Sequence, residues 1–119
     1  NKLILRKLFI DDETDSGITQ LMINYFQAVQ SKWEYSWKNV INNNILNKST
    51  GYIALMKFFR NVYIHLRTRE DEIISKETFY NLIKKIDIKD KSFTTENYLP
   101  GGKGQSDLYN ELMEKSNLK

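Results

Sequence analysis

Residues 47–66, NKSTGYIALMKFFRNVYIHL, constrain the fold more than any other stretch of this chain. Placed on a helical wheel, Tyr52, Leu55, Met56, Phe59, Val62, Tyr63 and Leu66 form the main apolar arc. Ile53 and Ile64 fall outside that arc beside Lys57, and Phe58 lies on the other flank with Gly51 and Ala54. A helix apolar on almost every side is one that others pack around. Ser49 or Thr50 is the expected start, and the small residues Gly51 and Ala54 are expected to admit a close helical neighbour. Lys57, Arg60 and Arg67 share the remaining stripe. Buried, these cations require acidic partners; exposed, they make a short row suited to phosphates.

The segments on either side supply the neighbours. Ile18, Leu21, Met22, Tyr25, Phe26, Val29 and Trp33 recur at i, i+3, i+4 and i+7, which predicts an amphipathic helix capped at Asp15 or Ser16. Trp37, Val40 and Ile41 extend it after a break, and Asn42, Asn43 and Asn44 read as a turn. Ser75 is the expected cap of a shorter helix with Phe79, Leu82, Ile83 and Ile86 inward. Residues 87–104 are polar, carry the sole proline and three of the five glycines, and read as a long loop. Gln105 or Ser106 opens a last short helix with Leu108, Leu112 and Met113 inward. The expected fold is mainly α: a single-domain bundle of four to five helices over residues 1–119, with a central buried helix. Residues 2–10, KLILRKLFI, add an N-terminal segment left open between strand and helix.

Composition narrows the function classes. A chain of 119 residues, 40% of them hydrophobic, buries a real core and is not a disordered tail. It has no cysteine, which removes disulfide and thiolate chemistry, and no apolar run of membrane-spanning length. With acids from Asp11 onward there is no signal-peptide pattern, so a cytoplasmic location is expected. A start at Asn1 rather than Met suggests a C-terminal fragment of a longer protein. The net charge of +3 is mild for a bare DNA-binding module, yet Lys57, Arg60, Arg67 and Arg69 cluster without an acid between them.

No motif specifies catalysis. DDETDSGIT, residues 11–19, invites a calcium-loop reading, but no register supplies both the central glycine and the final bidentate glutamate. LPGGKGQS, residues 99–106, enters a helix and would gather backbone amides and Lys103 around an anion; it lacks the lysine–serine or lysine–threonine step of a Walker loop. His65 is the lone histidine and reads as a flank residue packed against a neighbour. Trp33 and Trp37 share a helical face, suited to stacking on bases but more often found closing the edge of a core.

Taken together, ITQLMINYFQAV, NNNILNKSTGYIALMKFF and FTTENYLPGGKGQSDLYNEL resemble the C-terminal helical part of DGQHR-domain proteins. That bacterial family includes the B protein of the Dnd DNA-phosphorothioation systems. The resemblance spans residues 15–115, and the name-giving DGQHR motif is absent from this chain, so no residue role carries over from it. It implies association with DNA or with a DNA-modification or defence locus. The leading expectation is therefore a non-enzymatic module, without cofactor or metal. It would contact DNA through Lys57, Arg60, Arg67, Arg69 and Lys103, or support a neighbour that does. Two other readings stay beside it. One is a protein–protein interaction module presenting Tyr98, Leu99, the two tryptophans and residues 2–10. The other is a fragment of a nucleotide-binding enzyme using the glycine-rich loop. The expected partners are DNA, the upstream part of the parent chain and a second copy, with no membrane.

Overall fold

The structure, a computed structural model, describes residues 12–38, 43–68, 72–99 and 101–118. Among them the fold is mainly α, with no strand, and the helices surround one continuous apolar core. Helix α1 runs Asp12–Lys32, α2 is the single turn Glu34–Trp37, α3 is Ser49–Leu66, α4 is Lys76–Ile83 and α5 is Gly102–Ser116; a 3-10 turn covers Asp90–Ser92. Residues 2–10, Val40, Ile41 and Arg69 lie outside the described residues.

Helix α1 starts earlier than its expected cap at Asp15 or Ser16. Residues 12–17 of the acidic segment are themselves helical, which removes the calcium-loop geometry and sets acids at the positive end of the helix dipole. Its buried ladder is Leu21, Tyr25, Ala28 and Val29, which packs on α4 through Phe79 and reaches Phe59 of α3. The Tyr25 hydroxyl donates to the Leu55 carbonyl oxygen at 2.7 Å, so a buried polar tip is satisfied inside the core. Helix α4 is capped as expected: Ser75 Oγ accepts from the Thr78 amide at 3.2 Å.

Helix α3 is central, but its buried arc is turned from the expected one. Gly51, Ala54, Leu55, Phe58, Phe59, Val62 and Tyr63 are buried, while Tyr52 is 51% exposed. The rotation has a cause in α5, which packs along α3 and covers a flank that the wheel alone treats as peripheral. Asn61 of α3 donates to the Tyr109 hydroxyl of α5 at 2.8 Å. Gly51 does admit a close neighbour, though it is the backbone of Ile45 and Leu46 rather than a helix. His65 is exposed on the last turn of α3 and is not packed as expected.

The polar stretch before α5 is not a free loop. Ile88, Phe93 and Tyr98 are buried, and the segment is sewn to Trp33, Ser36 and residues 43–45. Trp33 Nε1 donates to the Ile88 carbonyl at 2.8 Å, the Ile45 amide to the Phe93 carbonyl at 2.9 Å, and Ser36 Oγ to the Asp90 carbonyl at 3.0 Å. Buried Asn44 organises the other side: its side chain donates to the carbonyl of Ser36 and accepts from the amide of Leu46. Asn43 turns the chain at φ 59°, a left-handed conformation that asparagine tolerates. Trp33 and Tyr98 are thus core residues, 1% and 4% exposed, and Trp37 is half-buried; among the described residues of the interaction surface expected around them, Leu99 is exposed.

Candidate functional site

Turning the α3 arc toward α5 leaves Tyr52, Ile53 and Met56 uncovered by it, and these face α1 across an open trough. The α1 wall is Thr19, Met22, Ile23 and Phe26; Phe59 forms part of the α3 wall, and Lys57 and Arg60 complete the lining. The trough holds about 760 Å³. Its lining is overwhelmingly apolar, with Ile23 43% exposed and Tyr52 stacked on Phe26 at 5.6 Å. Two methionines lend it adaptability, since an unbranched thioether repacks easily. The two helices approach through these large side chains, Phe26 meeting Tyr52 while Tyr25 meets Leu55 and Phe59.

The cations divide into distinct settings. Lys57 is exposed and Arg60 half-buried, one turn apart at the trough. The Nε of Arg60 is buried with no acceptor, and the same holds for Nε of Arg67, which caps the C-terminus of α3. No carboxylate among the described residues pairs with these three. Lys103, by contrast, sits on the first turn of α5 with its Nζ 3.3 Å from Asp107. The structure therefore joins Lys57 and Arg60 in one site, continues their stripe to Arg67, and places Lys103 on another helix. Arg69 is outside the described residues.

The glycine-rich segment is the first turn of α5, not an open cradle. Gly101 takes φ 95°, and a Cβ at Gly104 would strike the carbonyl of Leu99, so that glycine serves close packing. Nearby, Tyr98 donates to Oε2 of Glu111. Burial, then the bond to Glu111, raises the Tyr98 phenol well above its usual range. Burial does the same to Tyr25. Both hydroxyls are structural donors, occupied, and neither tyrosine is among the described lining of the α1–α3 trough. Among the described residues there is no cluster of three or more His, Asp or Glu placed to hold a metal ion, and no helix long and apolar enough to cross a membrane.

Sequence reasoning put Lys57, Arg60 and Arg67 on one stripe but missed the trough. The available signal was the same wheel: Ile53 lies beside Lys57, so an apolar side chain shares the charged stripe. Comparison with protein-family models, curated proteins and solved structures found no match for this chain.

Proposed function

We propose that this chain is a non-enzymatic helical docking module whose α1–α3 trough binds a partner polypeptide. The observation that carries the reading is a contiguous apolar recess with Ile23 and Tyr52 open to solvent beside an otherwise closed core. Exposed apolar surface of this kind, edged by charge, is what interaction sites retain at a cost in solubility. The test is site-specific photocrosslinking in the native host, with a photoreactive phenylalanine at Tyr52 or, as control, at Tyr35, which is 65% exposed and away from the trough. A discrete polypeptide adduct is expected from Tyr52 alone. Identical adduct patterns from both positions would remove the proposal.

A second reading is favoured by the unpaired cations of α3. Lys57, Arg60 and Arg67 span about 15 Å of helix at 1.5 Å per residue and suit a phosphate backbone. This reading keeps the resemblance to DGQHR-domain proteins, with the module contacting DNA in a bacterial DNA-modification or defence protein. It requires duplex binding that weakens steeply with salt. Unchanged fluorescence anisotropy of a labelled duplex at low salt would exclude direct contact.

A further inference from the structure

Resting on the docking reading, we infer that the occupant of the trough is a short amphipathic helix bearing acidic side chains, and that Arg60, assisted by Lys57, reads its charge. The walls dictate a helix. Positions 19, 22, 23 and 26 of α1 and 52, 53, 56 and 60 of α3 each follow the three-and-four spacing of a helical ridge. The two ridges run for about 10–12 Å, or two turns. A third helix seats between such ridges with anchors at i, i+3 or i+4, and i+7. An extended peptide is disfavoured because both walls are helical. Their interior backbone groups are already bonded, so its own N–H and C=O groups would lie unpaired against apolar side chains.

The charge follows from the cations of the trough. Lys57 and Arg60 are the charged residues among its described lining, and no carboxylate among the described residues pairs with either. Nε of Arg60 is withdrawn from water, so the half-buried guanidinium meets a ligand at the trough through its terminal Nη groups. A carboxylate on the incoming helix accepts from those groups in a charge-assisted bond. A second copy of the chain fits less well. The exposed positions of α4 and α5, such as Lys76, Glu77, Asn81, Asp107 and Glu114, are polar, and trough-on-trough pairing would set Lys57 and Arg60 against themselves. Residues 2–10 of the chain carry Lys2, Arg6 and Lys7 and no acid, the opposite of the charge required.

The experiment selects a displayed library of 14-residue peptides on the full 119-residue chain and measures the winners by fluorescence anisotropy. Expected winners carry apolar residues at helical spacing and at least one Asp or Glu. Their affinity falls about tenfold or more on Arg60→Glu and less on Lys57→Glu, and acid-to-lysine versions regain affinity for the Arg60→Glu chain. Circular dichroism checks the variants, and Arg60→Gln replaces Arg60→Glu if the latter does not fold. Winners lost on Ile23→Asp but neutral, basic or indifferent to Arg60 would overturn the charge inference and leave the docking reading standing. Absence of any binder sensitive to Ile23→Asp would overturn both. Displacement of the winners by a synthetic peptide of residues 1–11, or self-association abolished by Ile23→Asp, would overturn the inference in favour of the chain's own segment or a second copy.

Discussion

Replacing Gly51 by alanine isolates the closest approach in the fold. In an exposed helix interior this substitution stabilises by about 1 kcal/mol, because alanine loses less backbone freedom than glycine. At Gly51 the new methyl carbon would lie 2.5 Å from the Ile45 carbonyl oxygen and 2.6 Å from Leu46 Cα, and would also meet the Leu46 carbonyl. These are backbone atoms, and they are held. Ile45 and Leu46 are 3% and 1% exposed, the Ile45 amide is bonded to Phe93, and the Leu46 amide is bonded to Asn44. Relieving the overlap requires a shift approaching 1 Å in a segment tied on several sides, at about 3–5 kcal/mol, toward and beyond the upper range for overpacking. The net expected loss is about 2–4 kcal/mol, or about 8–16 °C in Tm for a chain of this size. Urea and thermal unfolding followed by circular dichroism measure it. Gly102→Ala is the control: it is helical with no atom within 4 Å of the added carbon, and should gain about 0.5–1 kcal/mol. Equal stability of the Gly51→Ala and Gly102→Ala chains would refute the close approach.

Two further outcomes follow from buried polar groups. Asn44→Ala should cost about 2–3 kcal/mol in urea unfolding, since it strips the Leu46 amide of its acceptor and the Ser36 carbonyl of its donor in a site 2% exposed; Asn44→Asp keeps the acceptor but sets a buried carboxylate oxygen against the Ser36 carbonyl and should cost more, and the reverse order would contradict the assignment. Tyr25 and Tyr98 have pKa values raised in the folded state, so their protonated forms contribute stability that is complete below the ordinary tyrosine value near 10.0 and is lost as pH rises above it. Tyrosinate absorbance of the native chain at pH 10–11 should therefore be unchanged in Tyr98→Phe and Tyr25→Phe variants, and a drop of one residue's amplitude in either would count against its burial.

What was legible in the sequence was whatever depended on local periodicity. The arc of Leu21, Tyr25 and Val29, the Ser75 cap and the centrality of α3 all follow from spacing within one helix. What escaped was set by partners distant in sequence. Phe93 and Tyr98 sit in a segment whose polar composition reads as a loop, and they become core only because Trp33, Asn44 and Ile45 wait for that segment. The start of α5 escaped because its glycines look like a hinge, whereas Gly104 is required by the carbonyl of Leu99. The trough escaped for the same reason: which flank of α3 is covered depends on where α5 lies, and no periodicity within α3 encodes that.

The stitching of Trp33, Ser36 and residues 43–45 to residues 88–95 also bears on how the chain is made. Helical bundles fold quickly when their contacts are local. Here the Trp33–Ile88 and Ser36–Asp90 bonds join positions 55 and 54 residues apart, so the floor of the core closes only after a long loop has closed. During synthesis, α1 and α3 emerge with their apolar faces bare and stay so until the strap carrying Phe93 and Tyr98 has left the ribosome, a window in which aggregation competes with folding. A refolding rate unchanged by Trp33→Phe, set against its effect on unfolding, would show that the strap docks after the barrier rather than at it.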